Sequence, residues 1–312
     1  MPPVDRNNPV RAKSSDSAFS LMEFMAAFPD DAACLEWLWR TRCSADGEHA
    51  YCPKCQTERT FRRYETKQQR QSWSCLHCSH KVHPTAGTIY HKSSTSLHLW
   101  FYAMYLMAST RCGISAKQLE RELGVTYKTA WRMFHLIRGE VMVQGDQPLG
   151  GSVEMDETYV GGKARLGENG HTKRKETVFG IVERKGQVRA THVEDAKATT
   201  LLPHVVKYVT TDSVVYTDEH PSYFNVQRDG YDHRTIRHAD KVYVSGDVHT
   251  QTIEGFWMLV KNGLRGAHHG VSAKHLQGYL NEYVFRYNHR DEEAGGAQFL
   301  LLLLRAASVP VV

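Results

Sequence analysis

The sequence predicts a modular chain: an α/β domain preceded by two smaller modules. Three observations lead there. Beyond residue 150, strand-like alternation and helical periodicity follow one another in the order strand, hairpin, helix, strand, helix. Ahead of this lie two CxxC pairs with 19 residues between them. Between the pairs and the α/β region, residues 113–140 carry two short helical patterns broken at "GVT".

A chain of 312 residues is longer than one typical small domain. At 41% hydrophobic and 23% charged residues it has the composition of a globular protein with a sizeable core. The most apolar run, "FLLLLL" at 299–304, is too short to cross a bilayer and ends at Arg305, so a buried helix segment is expected there, not a membrane span. The first 17 residues lack the apolar core of a signal peptide and read as a disordered lead-in, which suits a cytoplasmic protein. Charge is uneven. Residues 51–150 hold 14 Lys and Arg against 6 Asp and Glu, whereas 151–312 balance at 20 against 20. A basic segment beside a neutral one suggests a polyanion-binding module joined to something else.

Cys52 and Cys55 ("CPKC") and Cys75 and Cys78 ("CLHC") have the spacing of a zinc ribbon, in which each turn presents two thiolates to one tetrahedral Zn²⁺. A redox site needs only one CxxC, and a cytoplasmic setting disfavours disulfides. His77, His80 and His83 crowd the second pair, but four cysteines already satisfy the ion, which leaves those histidines to the surface or to phosphates. Cys34, Cys43 and Cys112 read as small buried hydrophobes.

Ahead of the ribbon, residues 20–42 predict two amphipathic helices broken at Pro29. After it, 85–109 reads as a strand, a Ser/Thr-rich linker and an apolar helix. In the following helix pair, Ser115 caps the first helix, Gly124 takes the break and Thr126 caps the second. Ala130, Trp131, Phe134 and Ile137 recur at helical spacing, while Tyr127, Lys128, Thr129 and Arg132 point outward from the start of the second helix, where a recognition helix meets DNA. An ordinary helical hairpin has the same pattern, and the basic exposed residues beside a ribbon favour the DNA-binding helix-turn-helix.

In "SVEMDETYV", Val153 and Met155 alternate with Glu154 and Asp156. A hairpin at 177–193, a helix near 198–209, a short strand ending at Asp218 and a helix carrying Glu254 and Lys261 complete the order. On that helix Ile253, Phe256, Trp257 and Val260 form the buried stripe. This order matches a ribonuclease-H-like α/β domain, which implies a mixed five-stranded sheet with helices and sets the end of its first strand beside its fourth, so that Asp156 is expected near Asp218. Three carboxylates at one sheet edge repel unless divalent cations stand between them. Two Mg²⁺ about 3.5–4 Å apart would serve in-line phosphoryl transfer. Glu154 and Glu157 read as bystanders, and His249, His268 and His269 as flanking residues, in contact with phosphate or satisfied in the core. In "NEYVFRYNHR", Tyr283 and Phe285 are assigned to the core and Arg286 and Arg290 to the neighbourhood of DNA.

"VEMDETYVGGK", "VYTDEHPSY" and the run from "HTQTIEGFW" to "FRYNHR" resemble the catalytic core of bacterial insertion-sequence DDE transposases of the ISXO-two-like group, related to the Merlin elements. The resemblance spans nearly the whole chain, from "SLMEF" through the ribbon to "FRYNHR", and 35 residues separate Asp218 from Glu254. It implies that Asp156 bridges two Mg²⁺ (or Mn²⁺), that Asp218 and Glu254 each complete one site, and that Lys261 steadies a DNA phosphate. One departure is Gln251, where the family usually has Asn.

The domains expected are a lead-in at 1–17, N-terminal helices at 18–48, the ribbon at 49–92, the helix-turn-helix region at 93–145, the catalytic domain at 146–295 and a C-terminal tail at 296–312. The function expected is a transposase acting on double-stranded DNA, both its element's inverted repeats and the target, as a homo-oligomer and away from membranes. A structure-specific nuclease of the same fold and a non-catalytic zinc-dependent regulator are the alternatives.

Overall fold

Capping side chains start the first two helices. In the computed structural model, Ser20 and Glu23 form a reciprocal capping box at the start of α1 (Leu21–Ala27), and the Asp30 side chain accepts the Ala33 N–H at the start of α2 (Asp31–Arg42). The structure describes residues 19–64, 72–110, 112–161, 175–236, 249–290 and 296–308; the expected lead-in and the last two residues of "VEMDETYVGGK" lie outside them.

The chain divides into two units, Met1–Ser109 with Glu292–Val312, and Thr110–Asp291. These divisions fall elsewhere than the domain boundaries expected above. In the first unit, β1 (His49–Cys52), β2 (Thr57–Tyr64), β3 (Ser72–Cys75) and β4 (Lys81–Val82) form an antiparallel meander in that order. Trp39 of α2 stacks on Trp73 of β3 at 4.6 Å between ring centroids, and Phe61 of β2 lies 5.6 Å from Trp39, so an aromatic cluster makes the core of this small sheet. The strand expected near 85–90 is absent. That stretch is a run of turns, with Gly87 at φ +72°, Thr88 Oγ1 donating to Thr85 O and Ile89 and Tyr90 buried without a sheet partner. α3 (Leu97–Ser109) and the C-terminal helix Ala297–Ser308 complete the unit; Phe24, Tyr105 and Phe299 pack together at its centre.

The second unit opens with α4 (Ala116–Leu123) and α5 (Tyr127–Leu136), capped by Ser115 and Thr126 and joined through Gly124 at φ +62°. A π-helical turn, Ile137–Val141, continues α5. The sheet has the order β7-β6-β5-β8-β9, made of β5 (Ser152–Val160), β6 (Glu176–Glu183), β7 (Val188–Val193), β8 (Val214–Thr217) and β9 (Asp232–Thr235). β5, β6 and β7 are antiparallel neighbours, while β8 runs parallel to β5 and β9 parallel to β8. This is the ribonuclease-H-like arrangement. Met155, Phe179, Ile181 and Val215 face one side of the sheet and form a core with Leu201 and Val205 of α6 (Ala198–Tyr208). On the opposite face β5 and β6 carry α7 (Gln251–Gly266), and β7 packs against α8 (Ala273–Asn288).

Two expectations change. Arg286 is buried, not turned toward nucleic acid: its Nη2 donates to Glu282 Oε1 at 2.7 Å, while Arg138 Nε donates to Glu282 Oε2 at 2.6 Å. Arg138 is held between the rings of Phe134 and Tyr279. The reason is compensation: a buried guanidinium needs a carboxylate, and Glu282 serves two. Cys112 is exposed where a buried hydrophobe was expected, whereas Cys34 is fully buried.

Candidate functional site

In the first unit the two CxxC turns are built alike. Gln56 N–H closes on Cys52 O and Ser79 N–H on Cys75 O, and Gln56 and Ser79, each just after the second cysteine, sit at positive φ. This brings Cys52, Cys55, Cys75 and Cys78 sulfurs within 4.8 Å of one another, with Cys52 and Cys78 at 3.5 Å. Tetrahedral zinc with bonds of about 2.3 Å needs sulfurs about 3.8 Å apart, so the donor set fits the ion. Burial and the neighbouring sulfurs of Cys78 and Cys52 push the Cys55 thiol up to about 12. Burial also opposes ionisation of Cys75, but N–H groups of Cys78 and His77 outweigh it and bring that thiol to about 7. His77 and His83 are exposed, and the histidines stand outside the ligand cluster.

In the second unit the acidic residues gather around β5. The parallel register sets Glu154 opposite Tyr216; Asp156 stands two residues further along β5, and Asp218 just beyond the end of β8. Asp156 is pushed up to about 7, first by burial and then by the charges of Glu157 and Asp218. Among the described residues this carboxyl has no cationic partner. Trp257 Nε1 donates to its Oδ2 at 2.9 Å. Gly180 is the β6 residue opposite Asp156, and a Cβ there would lie 2.4 Å from Trp257 Cζ2. The missing side chain is what lets the indole reach Asp156.

Asp218 follows the last residue of β8, and its Oδ1 accepts the His220 N–H at 3.0 Å. Glu157 points to the other face, where Tyr223 Oη donates to Oε2 at 2.5 Å and burial with that carboxylate raises the tyrosine well above its ordinary range. Glu254, in the first turn of α7, is exposed and accepts from Thr250 Oγ1 at 2.9 Å; Lys261 is half-buried one turn beyond Trp257. Among the described residues the four cysteines are the group whose ligand atoms all lie within 4.8 Å of one another. Asp156 and Asp218 are therefore within reach of each other's charge, while the oxygens of Asp156, Asp218 and Glu254 are not drawn together to that distance. Unscreened like charges favour such separation. Carboxylate oxygens are hard donors of the kind Mg²⁺ takes, although the three do not form one ligand group in this structure.

Glu154 is not a bystander. It is fully buried and accepts from Arg184 Nε at 2.7 Å, Thr252 N at 2.8 Å, Ile253 N at 3.0 Å and Thr252 Oγ1 at 3.0 Å. His249 Nδ1 stands 3.2 Å away from the same carboxylate. The only sequence signal was that Glu154 shares a face of β5 with Asp156. His268, the second flanking histidine, is lowered to about 4 by burial and then by the charge of Arg138. His269 is exposed, at φ +56°.

On α5, Tyr127 (48% exposed), Lys128 and Arg132 reach solvent, while Thr129 is half-buried, 3.0 Å from Thr126 Oγ1 through its own hydroxyl. Tyr127 and Trp131 stack, with centroids 6.4 Å apart.

Residues 148–288 match the family model described as ISXO2-like transposase domain. An uncharacterized protein in transposable element ISH50 of Halobacterium salinarum is 30% identical over 258 residues, 76% of this chain and 84% of that one. An uncharacterized transposase-like protein of Haemophilus influenzae is 29% identical over 107 residues, 34% of this chain and 85% of that one. Among solved structures, the HTLV-2 integrase catalytic core domain in complex with magnesium aligns at 13% identity and TM-score 0.29, over 51% of this chain and 99% of that one. The pre-cleavage Mos1 transpososome aligns at 12% and 0.27, over 66% and 76%.

Proposed function

The chain belongs to the ISXO2-like transposase family, and from that premise we propose that it binds its element's terminal inverted repeats, cuts there and joins the freed ends to target DNA. The observation that carries the reading is the placement of Asp156 on β5 and of Asp218 just past the same end of the parallel neighbour β8, with Glu254 in the first turn of the helix packed on β5. Asp156 would hold both of two divalent cations, Asp218 one and Glu254 the other. When bound, such ions would supply positive charge to the attacking and leaving oxygens of an in-line displacement.

The remaining work falls to the chain. In the first reaction water attacks the phosphodiester at the element end, the bond to the strand's 3′ oxygen breaks, and that oxygen leaves as a 3′-hydroxyl. In the second, this hydroxyl attacks a target phosphodiester directly, so one bond forms as one breaks and no enzyme-linked intermediate arises. Lys261, on the helix that carries Glu254, would steady a phosphate. Tyr127, Lys128, Thr129 and Arg132 would meet the inverted repeat, with the zinc ribbon adding contact to the backbone. Two ends must be held together, so the active species would be a homo-oligomer on DNA. No described helix is long and apolar enough to cross a membrane.

The test is labelled element ends incubated with Mg²⁺ and plasmid. Label joined to plasmid supports transposition; free cuts alone would assign a nuclease, and shifted, uncut DNA a regulator. Asp156→Asn should abolish cutting and joining while binding persists.

A further inference from the structure

Helix α7 begins without a capping side chain of its own: Thr250, at the cap position, makes no capping hydrogen bond, and its hydroxyl is given to Glu254. The first N–H groups of a helix are left over from its internal bonding and must find acceptors elsewhere. Here two of them, Thr252 N and Ile253 N, are taken by Glu154 Oε2 at 2.8 and 3.0 Å from a strand 98 and 99 residues earlier. A carboxylate is the acceptor that a helix N-terminus favours, and this one is fully buried. Its remaining oxygen accepts from Arg184 Nε and Thr252 Oγ1, and Arg184 also donates to His249 O at 2.8 Å just ahead of the helix. Burying a charge is costly unless it is paired and fully hydrogen-bonded, and this one is both.

Glu154 also stands two residues before Asp156 on the same face of β5, and Glu254 is the residue after Ile253. We infer that Glu154 is a positioning residue: it clamps the start of α7 to β5 and so sets Glu254 relative to Asp156. Arg184 completes the clamp by holding both the carboxylate and the chain entering the helix. This rests on the reading of Asp156 and Glu254 as cation ligands.

Amide hydrogen exchange and Mn²⁺ binding on the full-length, zinc-loaded protein test it together. In the unaltered chain the Thr252 and Ile253 amides should exchange at least about a hundredfold slower than unprotected amides, although they lie in a first helical turn. Glu154→Gln keeps the shape but loses the charge and one acceptor. It should speed those two amides about tenfold or more, leave the β5–β6 ladder protected and weaken Mn²⁺ binding by about 10–100-fold. Should that variant not fold, Arg184→Lys, which loosens one side of the clamp, should move both readouts in the same direction by less. Freely exchanging Thr252 and Ile253 amides in the unaltered protein would overturn the proposal, as would a folded Glu154→Gln that changes neither readout. Protected amides that Glu154→Gln releases, without any Mn²⁺ uptake, would leave the clamp standing and sink the cation-site reading instead.

Discussion

Trp257 donates its indole N–H to Asp156 across the space that a side chain on Gly180 would fill. The relationship ties three elements: β5 supplies the acid, β6 the gap and α7 the donor. Gly180→Ala would put a methyl 2.4 Å from Trp257 Cζ2 and 2.9 Å from Ile253 Cδ1, forcing the helix outward. The expected cost is about 1–3 kcal/mol in urea unfolding, with strand transfer lost. Trp257→Phe keeps the bulk and removes the donor, so it should cost about 1 kcal/mol and lower joining about tenfold. A Gly180→Ala protein with unaltered stability and joining would contradict the packing described.

Asp156 should be a liability to the cation-free fold. Its carboxyl is raised from 3.8 to about 7 by burial and by Glu157 and Asp218, so between these pH values the folded chain holds a proton that the unfolded chain has released. Stability from this group is therefore greatest in acid and declines as pH rises toward 7. Asp156→Asn should stabilise the zinc-loaded protein, in buffer without Mg²⁺ or Mn²⁺, by about 1–3 kcal/mol at pH 8 and by little at pH 4. Thermal unfolding at the two pH values measures this, and equal shifts at both would remove the cause assigned.

The charges at Arg138, Glu282 and Arg286 work in the opposite sense. Burial opposes ionisation of Glu282, but Arg138 and Arg286 prevail and hold it at about 2, below its ordinary 4.5. Its contribution is present above pH about 4.5 and is lost as pH falls toward 2. His268, lowered from 6.5 to about 4 by burial and Arg138, adds a loss that begins below pH about 6.5, because the unfolded chain takes the proton first. Glu282→Gln strands two buried guanidinium groups and should cost about 3–5 kcal/mol near neutral pH. Acid titration of stability should then lose its component below pH 4.5; retention of that component would assign it elsewhere.

Removing zinc should unfold the ribbon, because the ion is the cross-link between the two CxxC turns and the protonated thiols left behind offer each other only weak contacts. A thiol-reactive agent should release about one Zn²⁺ per chain. Cys75→Ser should bind zinc weakly and lose the signal of the stacked Trp39–Trp73 pair in near-ultraviolet circular dichroism. Full zinc retention by the variant would argue for a different ligand set.

Lys128→Ala and Arg132→Ala remove exposed charge from the start of α5 without touching the buried Ala130, Met133 and Phe134. If these cations meet phosphates, each should weaken binding to element ends and reduce the steepness of its salt dependence by about one ion. Unaltered binding in both variants would move recognition away from α5.

The sequence alone determined most of the local elements. Ser115 and Thr126 cap helices as their positions require, Gly124 takes the left-handed turn, and the paired CxxC turns gather their sulfurs. Such features depend on neighbours a few residues away, so local spacing is enough to read them. The alternation of Val153 and Met155 with Glu154 and Asp156 likewise marks the two faces of β5.

Only the tertiary structure decided what individual charges do. Glu154 and Asp156 are alike in type and face, yet one caps a helix from far along the chain and the other is left with its charge resisted by its neighbours. Arg286 and Arg290 are alike in sequence setting, yet Glu282 draws the first inside while the second stays exposed. A charged side chain's role is set by its desolvation and by partners that the fold brings to it, and neither quantity is written in the residues beside it.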